Sequence, residues 1–270
     1  MTEVFDETQY TEELKIAIAG YGPVGRAHVV VMRPHCQIII SDPAYTDYKN
    51  EIPDDVDGII ICASTPSKPG GDCDYSNVYN IISKANEKIP ILIKSTISLE
   101  GWHVFKEDFP NHEITYSPEF LVAATATEDF KNTEHLFFGG GRREMWAGLF
   151  QKVFGQIFDW SYREPTTLIL GKYMRNSFLA TKVAFFNQIY DLCSAYGIDY
   201  TSAVSVIASD PRIGHSHTKV TEERGFGGHC FPKDTKAITK SARKVGVELS
   251  LIEEASYYNG KIRRLARIGK

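Results

Sequence analysis

The sequence predicts an α/β protein in which a doubly wound, mostly parallel sheet is followed by an all-helical region, and three observations predict it. Short apolar runs of strand length alternate with helix-like segments through the first half of the chain. The earliest run leads straight into a glycine turn. Beyond residue 164 the pattern changes to one long stretch with apolar side chains at helical spacing, including Leu170, Met174, Phe178, Val183, Phe186, Ile189 and Leu192. Strands that alternate with helices must be covered on both faces, which a parallel sheet between helical layers achieves.

Taken in order, Lys15–Ala19 is an apolar strand, Gly20-Tyr21-Gly22-Pro23-Val24-Gly25 is the turn, and Arg26–Arg33 continues as helix. A second strand, Gln37–Ile40, ends at Ser41-Asp42, and the acid falls 22 residues after the first glycine. This is the pattern of a dinucleotide fingerprint. Its glycines permit the tight turn, close backbone approach to a pyrophosphate and close helix packing, while the acid accepts hydrogen bonds from the adenosine ribose. The helix N-terminus favours the pyrophosphate charge. The reading is therefore a Rossmann-like NAD-binding domain over residues 1–163, with Gly20, Gly22, Pro23, Val24, Gly25 and Asp42 on the cofactor. Asp42 would repel a 2′-phosphate, which favours NAD over NADP.

Further strands are expected at Gly58–Ala63, Ile91–Lys94, Ile114–Tyr116 and Leu136–Phe138, with helices around 74–88 and 142–153. In such sheets ligands sit beyond the carboxyl ends of the strands. Thr65-Pro66, Ser95-Thr96 and Pro118-Glu119 occupy such ends and are expected beside the nicotinamide half. From 164 to 270 we expect a helical central and dimerisation domain: one long connecting helix stopped by Gly197, then shorter helices at 201–209, 233–245 and 250–267. The aromatic and aliphatic face of the long helix, Phe178, Phe185, Phe186 and Tyr190, suits either a second copy of the chain or burial within its own.

Composition sets bounds. At 270 residues, 43% hydrophobic and 24% charged, the chain is ordinary globular usage and long enough for two modest cores. A net charge of −4 gives no basic field for nucleic acid. The basic cluster Lys261, Arg263, Arg264, Arg267 and Lys270 reads as a solvated helix face or a frayed tail. No apolar run approaches the ~20 residues of a membrane span, and MTEVFDETQY lacks the regions of a signal peptide. These features predict a cytoplasmic protein with no membrane partner. Five cysteines, odd in number and widely spaced, read as reduced thiols, four of them small buried hydrophobes.

Two groups of residues suggest chemistry. Lys172 and Asn176 lie four apart and share one helix face, where a lysine can take the proton of a hydroxyl being oxidised and an amide can hold its oxygen. Gly225-Phe226-Gly227-Gly228-His229-Cys230-Phe231-Pro232-Lys233-Asp234 places a thiol after a glycine loop and at a helix start, where the helix dipole and Lys233 favour the thiolate. Asp234 opposes that effect unless paired. A nucleophilic cysteine beside a hydride acceptor can capture an aldehyde as a thiohemiacetal, and a second oxidation then gives a thioester that water opens to an acid. His215, His217, His229 and Cys230 are zinc-ligand types, but adjacent His229 and Cys230 suit a tetrahedral site badly and no CxxC partner is present, so no metal is expected.

Gly20–Gly25, Asp42, Thr65-Pro66-Ser67-Lys68, Lys94-Ser95-Thr96, Ser117-Pro118-Glu119-Phe120-Leu121, Lys172 with Asn176, Arg212-Ile213-Gly214 and the cysteine motif, in that order, resemble the UDP-glucose/GDP-mannose dehydrogenase family. The resemblance implies an NAD-dependent four-electron oxidation of a nucleotide-sugar primary alcohol, UDP-glucose above all, to a carboxylate. It implies Cys230 as nucleophile, Glu119 as the carboxylate that handles water, Lys172 and Asn176 on the oxidised oxygen, and Asp234 as their assistant. Thr65, Thr96 and Lys233 match cofactor-side positions; Phe120, Leu121, Phe226, Gly227 and Arg212 match substrate-side ones, and a homodimer is implied. The family pattern is not followed throughout. Relatives are commonly much longer and carry a third domain for the nucleotide, which is expected to be missing here. The stretch between Asp42 and Gly58 is short, so one helix of the cofactor domain is expected to be absent, and Ala123 stands where relatives often have a second acid. Two other readings stay open: a two-electron β-hydroxyacid-type dehydrogenase, and a non-catalytic NAD-binding or assembly protein.

Overall fold

Gly58 opens a strand whose neighbour leaves no room for a side chain: a Cβ there would lie 2.6 Å from the indole of Trp146. Trp146 is fully buried with Phe130, Phe138 and Phe150, and this aromatic layer is the core beneath one face of the sheet. The structure, a computed structural model, describes residues 14–45, 47–48, 51–155 and 158–268. It divides into two units. The first comprises the chain up to Pro66 together with Asp74–Lys172; the second comprises Ser67–Cys73 and the chain from Tyr173 onward.

The first unit is a seven-stranded sheet in the order β2-β1-β3-β4-β5-β6-β7. Its strands are β1 (Lys15–Ala19), β2 (Gln37–Ser41), β3 (Gly58–Ile61), β4 (Ile91–Ile93), β5 (Ile114–Tyr116), β6 (His135–Gly140) and β7 (Asp159–Tyr162). Pairing is parallel throughout except between β5 and β6, in the register Thr115 to Gly140. β3 and β4 are buried on both faces, which is why both read as unbroken aliphatic runs. The chain order reverses between β1 and β3, so the glycine turn after β1 sits at the switch point where such sheets open a crevice.

Five helices cover this sheet: α1 (Pro23–Met32), α2 (Ser76–Lys84), α3 (Leu99–Asp108), α4 (Ala126–Lys131) and α5 (Arg143–Phe154). The predicted sheet and the three predicted covering helices, α1, α2 and α5, are present. Three elements were not legible in the sequence. α3 has Gly101 in its first turn, where a Cβ would meet the Tyr75 ring at 2.8 Å, so tertiary packing rather than propensity selects its residues. α4 has only six residues, and β7 is a short, partly exposed edge strand. Among the described residues no helix lies between β2 and β3.

The long helix α6 runs unbroken over Pro165–Tyr196. Its first turns belong with the sheet, because Leu168 and Ile169 are buried and a Cβ on Gly139 of β6 would lie 3.2 Å from Leu168. The two compact units divide inside the helix, after Lys172. α6 ends as expected at Gly197, whose φ of +67° permits the left-handed cap closed by Ile198 N–H on the Cys193 carbonyl at 2.9 Å.

The second unit adds α7 (Tyr200–Ala208), α8 (Cys230–Lys244) and α9 (Ser250–Ile268). The Asp199 side chain caps α7 by accepting from Ser202 N–H at 2.7 Å. Cys230 is the first residue of α8, three residues before the helix start read from the sequence. Pro232 has no N–H to lose in that first turn, so it is tolerated there. Phe226 packs on Ala180 and Ala184, and Phe186 packs separately on Val204 and Ala208. Among the described residues no helix is long and apolar enough to cross a membrane.

Candidate active site

In the first unit the fingerprint glycines meet the demands the sequence set for them. Gly20 has φ +101°, and a Cβ on it would lie 2.7 Å from Ala63 N; one on Gly25 would lie 1.9 Å from the Gly20 carbonyl. Only glycine lets α1 approach the turn this closely. Gly22 faces open space, with nothing within 4 Å of its Cβ position. It caps α1 without a side-chain bond, and Pro23 follows at the helix start, so no cap side chain covers the first-turn N–H groups. Asp42 is held by two backbone donors, Tyr21 N–H at 2.6 Å on Oδ2 and Ala44 N–H at 2.8 Å on Oδ1. Each oxygen keeps a second lone pair for a ribose hydroxyl. These residues fit a dinucleotide's pyrophosphate and ribose. Arg26, which sequence reasoning passed over, bonds the Tyr21 carbonyl at 3.0 Å and the Tyr45 hydroxyl at 2.6 Å, and lies over both rings. Thr65 is buried and Thr96 half-buried in the segments that follow β3 and β4.

Glu119 and Lys172 meet in this unit. Lys172, 3% exposed, donates to Glu119 Oε1 at 3.0 Å and to the Glu119 carbonyl at 2.5 Å. Glu119 Oε2 accepts from Leu121 N–H at 2.7 Å, and the Lys172 ammonium lies 5.4 Å from the centre of the Phe120 ring. A cavity of about 180 Å³ opens beside this pair, lined by Glu119, Phe120, Leu121, Lys94 and Phe130 among others.

Lys94 stood in the sequence as one member of Lys94-Ser95-Thr96, without a role. It is buried and donates to Ser117 Oγ at 2.9 Å. Burial, together with repulsion from Lys172, lowers its pKa to about 8 against the opposing pull of Cys62 and Glu119. The neighbouring Cys62 thiol is pushed up to about 12, mainly by burial. A charge that closes an aliphatic strand run, Ile91-Leu92-Ile93-Lys94, was the signal available in the sequence.

In the second unit Asp234 is fully buried and doubly paired: Asn176 Nδ2 donates to Oδ2 at 2.6 Å, and Lys233 Nζ to Oδ1 at 2.6 Å. Cys230 is exposed at the start of the same helix, one turn before Asp234 and on the same face. The other cysteines are buried or, for Cys62, half-buried. Phe226 is buried in the unit's core, and a Cβ on Gly227 would lie 2.9 Å from the Arg263 guanidinium. Arg212 is highly exposed and bonded to Asp210 at 2.5 Å, and Ala123 is exposed in the first unit. Among the described residues no three His, Cys, Asp or Glu side chains gather as a metal site.

Residues 168–261 match the model of the UDP-glucose/GDP-mannose dehydrogenase family, central domain. The chain is 31% identical over 221 residues to a UDP-glucose 6-dehydrogenase of Rickettsia bellii, covering 77% of this chain and 50% of that protein. It is 31% identical over 224 residues to one of Rhizobium meliloti, covering 77% of this chain and 51% of the relative. The chain thus spans about half the length of the curated relatives it matches. Among solved structures, a UDP-glucose dehydrogenase of Pyrobaculum islandicum has the same fold with a TM-score of 0.80 at 22% identity, covering 97% of this chain and 71% of that one. With the glycine turn at the sheet's switch point, the buried Lys172–Glu119 pair, the thiol that opens α8 and these relatives, the chain belongs to the UDP-glucose/GDP-mannose dehydrogenase family.

Proposed function

We propose that the protein oxidises the primary alcohol of a nucleotide sugar, UDP-glucose foremost, to a carboxylate in two NAD-dependent steps through a Cys230 thioester. The observation that carries the reading is the grouping in the second unit. Cys230 is exposed at the start of α8, Asp234 follows one turn later, and Asn176 is bonded to that carboxylate. A nucleophile, a fixed carboxylate and an amide that can hold an oxygen are the parts such a reaction needs.

NAD, when bound, accepts a hydride in each of the two oxidations. The chain supplies the rest. Gly20, Gly22, Pro23, Val24 and Gly25 hold the pyrophosphate and Asp42 the ribose, with Thr65, Thr96 and Lys233 on the nicotinamide side. Lys172 and Asn176 receive the sugar oxygen, and Lys172 in its neutral form, its own proton released to solvent, takes the alcohol's proton as the aldehyde forms. The Cys230 thiolate adds to the aldehyde carbon. The thiohemiacetal is oxidised to a thioester, and Glu119 draws the proton from the water that releases the acid and restores the thiol. Phe120, Leu121, Phe226, Gly227 and Arg212 would line the sugar nucleotide. Asp234 keeps Asn176 in one rotamer and neutralises Lys233.

Homodimerisation through α6 completes the proposal. Met174, Phe178, Phe185, Leu192 and Tyr196 are exposed along it. Phe186 and Tyr190, which the sequence grouped with that face, are spoken for in their own unit: Phe186 by α7, Tyr190 by Tyr200 and Arg224. The cytoplasm, where NAD and nucleotide sugars are made, is the proposed compartment.

The test is a panel of UDP-, GDP- and free sugars with NAD, following NADH. Two NADH per sugar, abolished in Cys230→Ser, is the expected result. One NADH with a tolerated Cys230→Ser would replace the reading with a two-electron dehydrogenase. Cofactor binding without turnover on any sugar would replace it with a non-catalytic NAD-binding protein.

A further inference from the structure

The loop that delivers Cys230 carries three left-handed residues in five, Arg224 (φ 57°), Gly225 (φ 57°) and Gly228 (φ 73°). A non-glycine residue there costs about 1 kcal/mol or more and persists only where its surroundings hold it. The surroundings are side-chain amides. Asn259 of α9 is buried, and its Oδ1 accepts Phe226 N–H at 2.7 Å while its Nδ2 donates to the Phe226 carbonyl at 3.0 Å. Only an amide in this one orientation makes both bonds.

Asn187 of α6, 1% exposed, stands behind it. Its Oδ1 accepts Gly225 N–H and Arg224 Nε, both at 3.0 Å, and its Nδ2 is fixed on the Val183 carbonyl at 2.9 Å. Arg263 of α9 donates to the Arg224 carbonyl at 3.0 Å. A Cβ on Gly225 would come within 2.1 Å of Asn259 Oδ1, so the glycine is what allows the amide to reach the backbone. Phe226 is anchored at the same point by its buried ring.

We propose that Asn259, backed by Asn187, is a positioning residue for Cys230: the two amides lock the backbone of residues 224–226 and thereby fix where α8 begins and how its first thiol is presented. The proposal rests on the reading of Cys230 as nucleophile, but its test does not use dehydrogenase activity. Cys230 is the one exposed cysteine, so iodoacetamide reports on it selectively. Alkylation rate is measured against pH in the whole 270-residue chain. In Asn259→Ala we expect the rate at pH 7 to fall about five-fold and its pH midpoint to rise, as the thiol loses its place at the helix start. Asn259→Asp, which keeps the shape and loses the donor to Phe226, should slow it in the same direction. Val204→Ala weakens the separate Phe186 cluster of the same unit and serves as control; it should lower the unfolding temperature and leave the alkylation profile at wild type. A wild-type profile in both Asn259 variants, or an equal shift in Val204→Ala, would overturn the proposal. Hydrogen exchange in the unmutated protein provides a readout that needs no variant: the Gly225 and Phe226 amides should exchange slowly despite lying in a loop, and exchange as fast as an open loop would also overturn it. Should the sugar panel give no NADH while these shifts appear, the dehydrogenase reading fails and the amide lock stands.

Discussion

Lys172 holds Glu119 at two points, the carboxylate at 3.0 Å and the backbone carbonyl at 2.5 Å, with both side chains nearly or fully buried. Removing one partner of a buried pair strands the other charge, which costs about 3–5 kcal/mol. Lys172→Met should therefore lower the free energy of unfolding by about 3 kcal/mol, read by urea denaturation. Glu119→Gln should cost less, because its amide oxygen still accepts from Lys172. That variant should also accumulate the Cys230 thioester, seen as acylated protein by intact-mass measurement after a single turnover. Product released from it at the wild-type rate would remove Glu119 from the hydrolysis.

Asp234 offers a test by exchange of partners. It receives two donors at 2.6 Å while fully buried, so Asp234→Asn turns one of its oxygens into a donor facing another donor. The expected loss is about 2–3 kcal/mol. Asn176→Asp alone should be worse, since it places two carboxylates at hydrogen-bond distance in a buried site. The double variant restores one donor and one acceptor across the pair, with an oxygen left for Lys233. A double-mutant cycle should return a favourable coupling of about 1–3 kcal/mol, and strict additivity would mean the two side chains do not pair in solution.

Much of this arrangement was legible because its physics is local. Gly20 and Gly25 advertise a turn no other residue tolerates, Asp42 closes a strand, and Gly197 stops a helix at a left-handed cap. Lys172 and Asn176 share a helix face by spacing, yet each takes a partner that the spacing does not announce, Glu119 for the lysine and Asp234 for the asparagine. What escaped was set by partners distant in the chain. Nothing local to Asn259 distinguishes it from a surface asparagine, because its partner, Phe226, lies 33 residues away. Lys94 looked like the polar end of a strand until Ser117 and Glu119 surrounded it. Phe186 and Phe185 are adjacent in an aromatic pair, and only α7 decides that the first is buried and the second exposed.

The exposed face of α6 gives a prediction about assembly. Met174, Phe178, Phe185 and Leu192 place large apolar surface in water, with Phe178 at 67% exposure. Monomers rarely leave such a contiguous patch uncovered. Sedimentation should find a dimer at micromolar concentration, and Phe178→Asp with Phe185→Asp should shift it to monomer with no loss of helical circular dichroism. A double variant that sediments like wild type would move the interface elsewhere.

His28 yields a pH dependence whose sign is fixed. It is fully buried in α1, stacked on Phe130 with ring centres 4.1 Å apart, and its Nδ1–H donates to the Val24 carbonyl at 2.9 Å. Its Nε2 has no hydrogen-bond partner among the described residues. Burial first, and the Lys94 charge second, lower its pKa to about 3 from 6.5, against the Val24 bond. The native state therefore refuses a proton that the unfolded chain accepts between pH 6.5 and 3. Stability contributed by the neutral imidazole is complete above pH 6.5 and is lost as pH falls through that window, by up to about 1.4 kcal/mol per pH unit. His28→Leu keeps an apolar side chain against Phe130 and cannot titrate. Urea unfolding at pH 7, 6, 5 and 4.5 should show the wild type losing stability more steeply than this variant below pH 6, with the two near each other at pH 7. Parallel slopes would mean that the imidazole takes up its proton without unfolding, and the packing of α1 on α4 would have to open to let it.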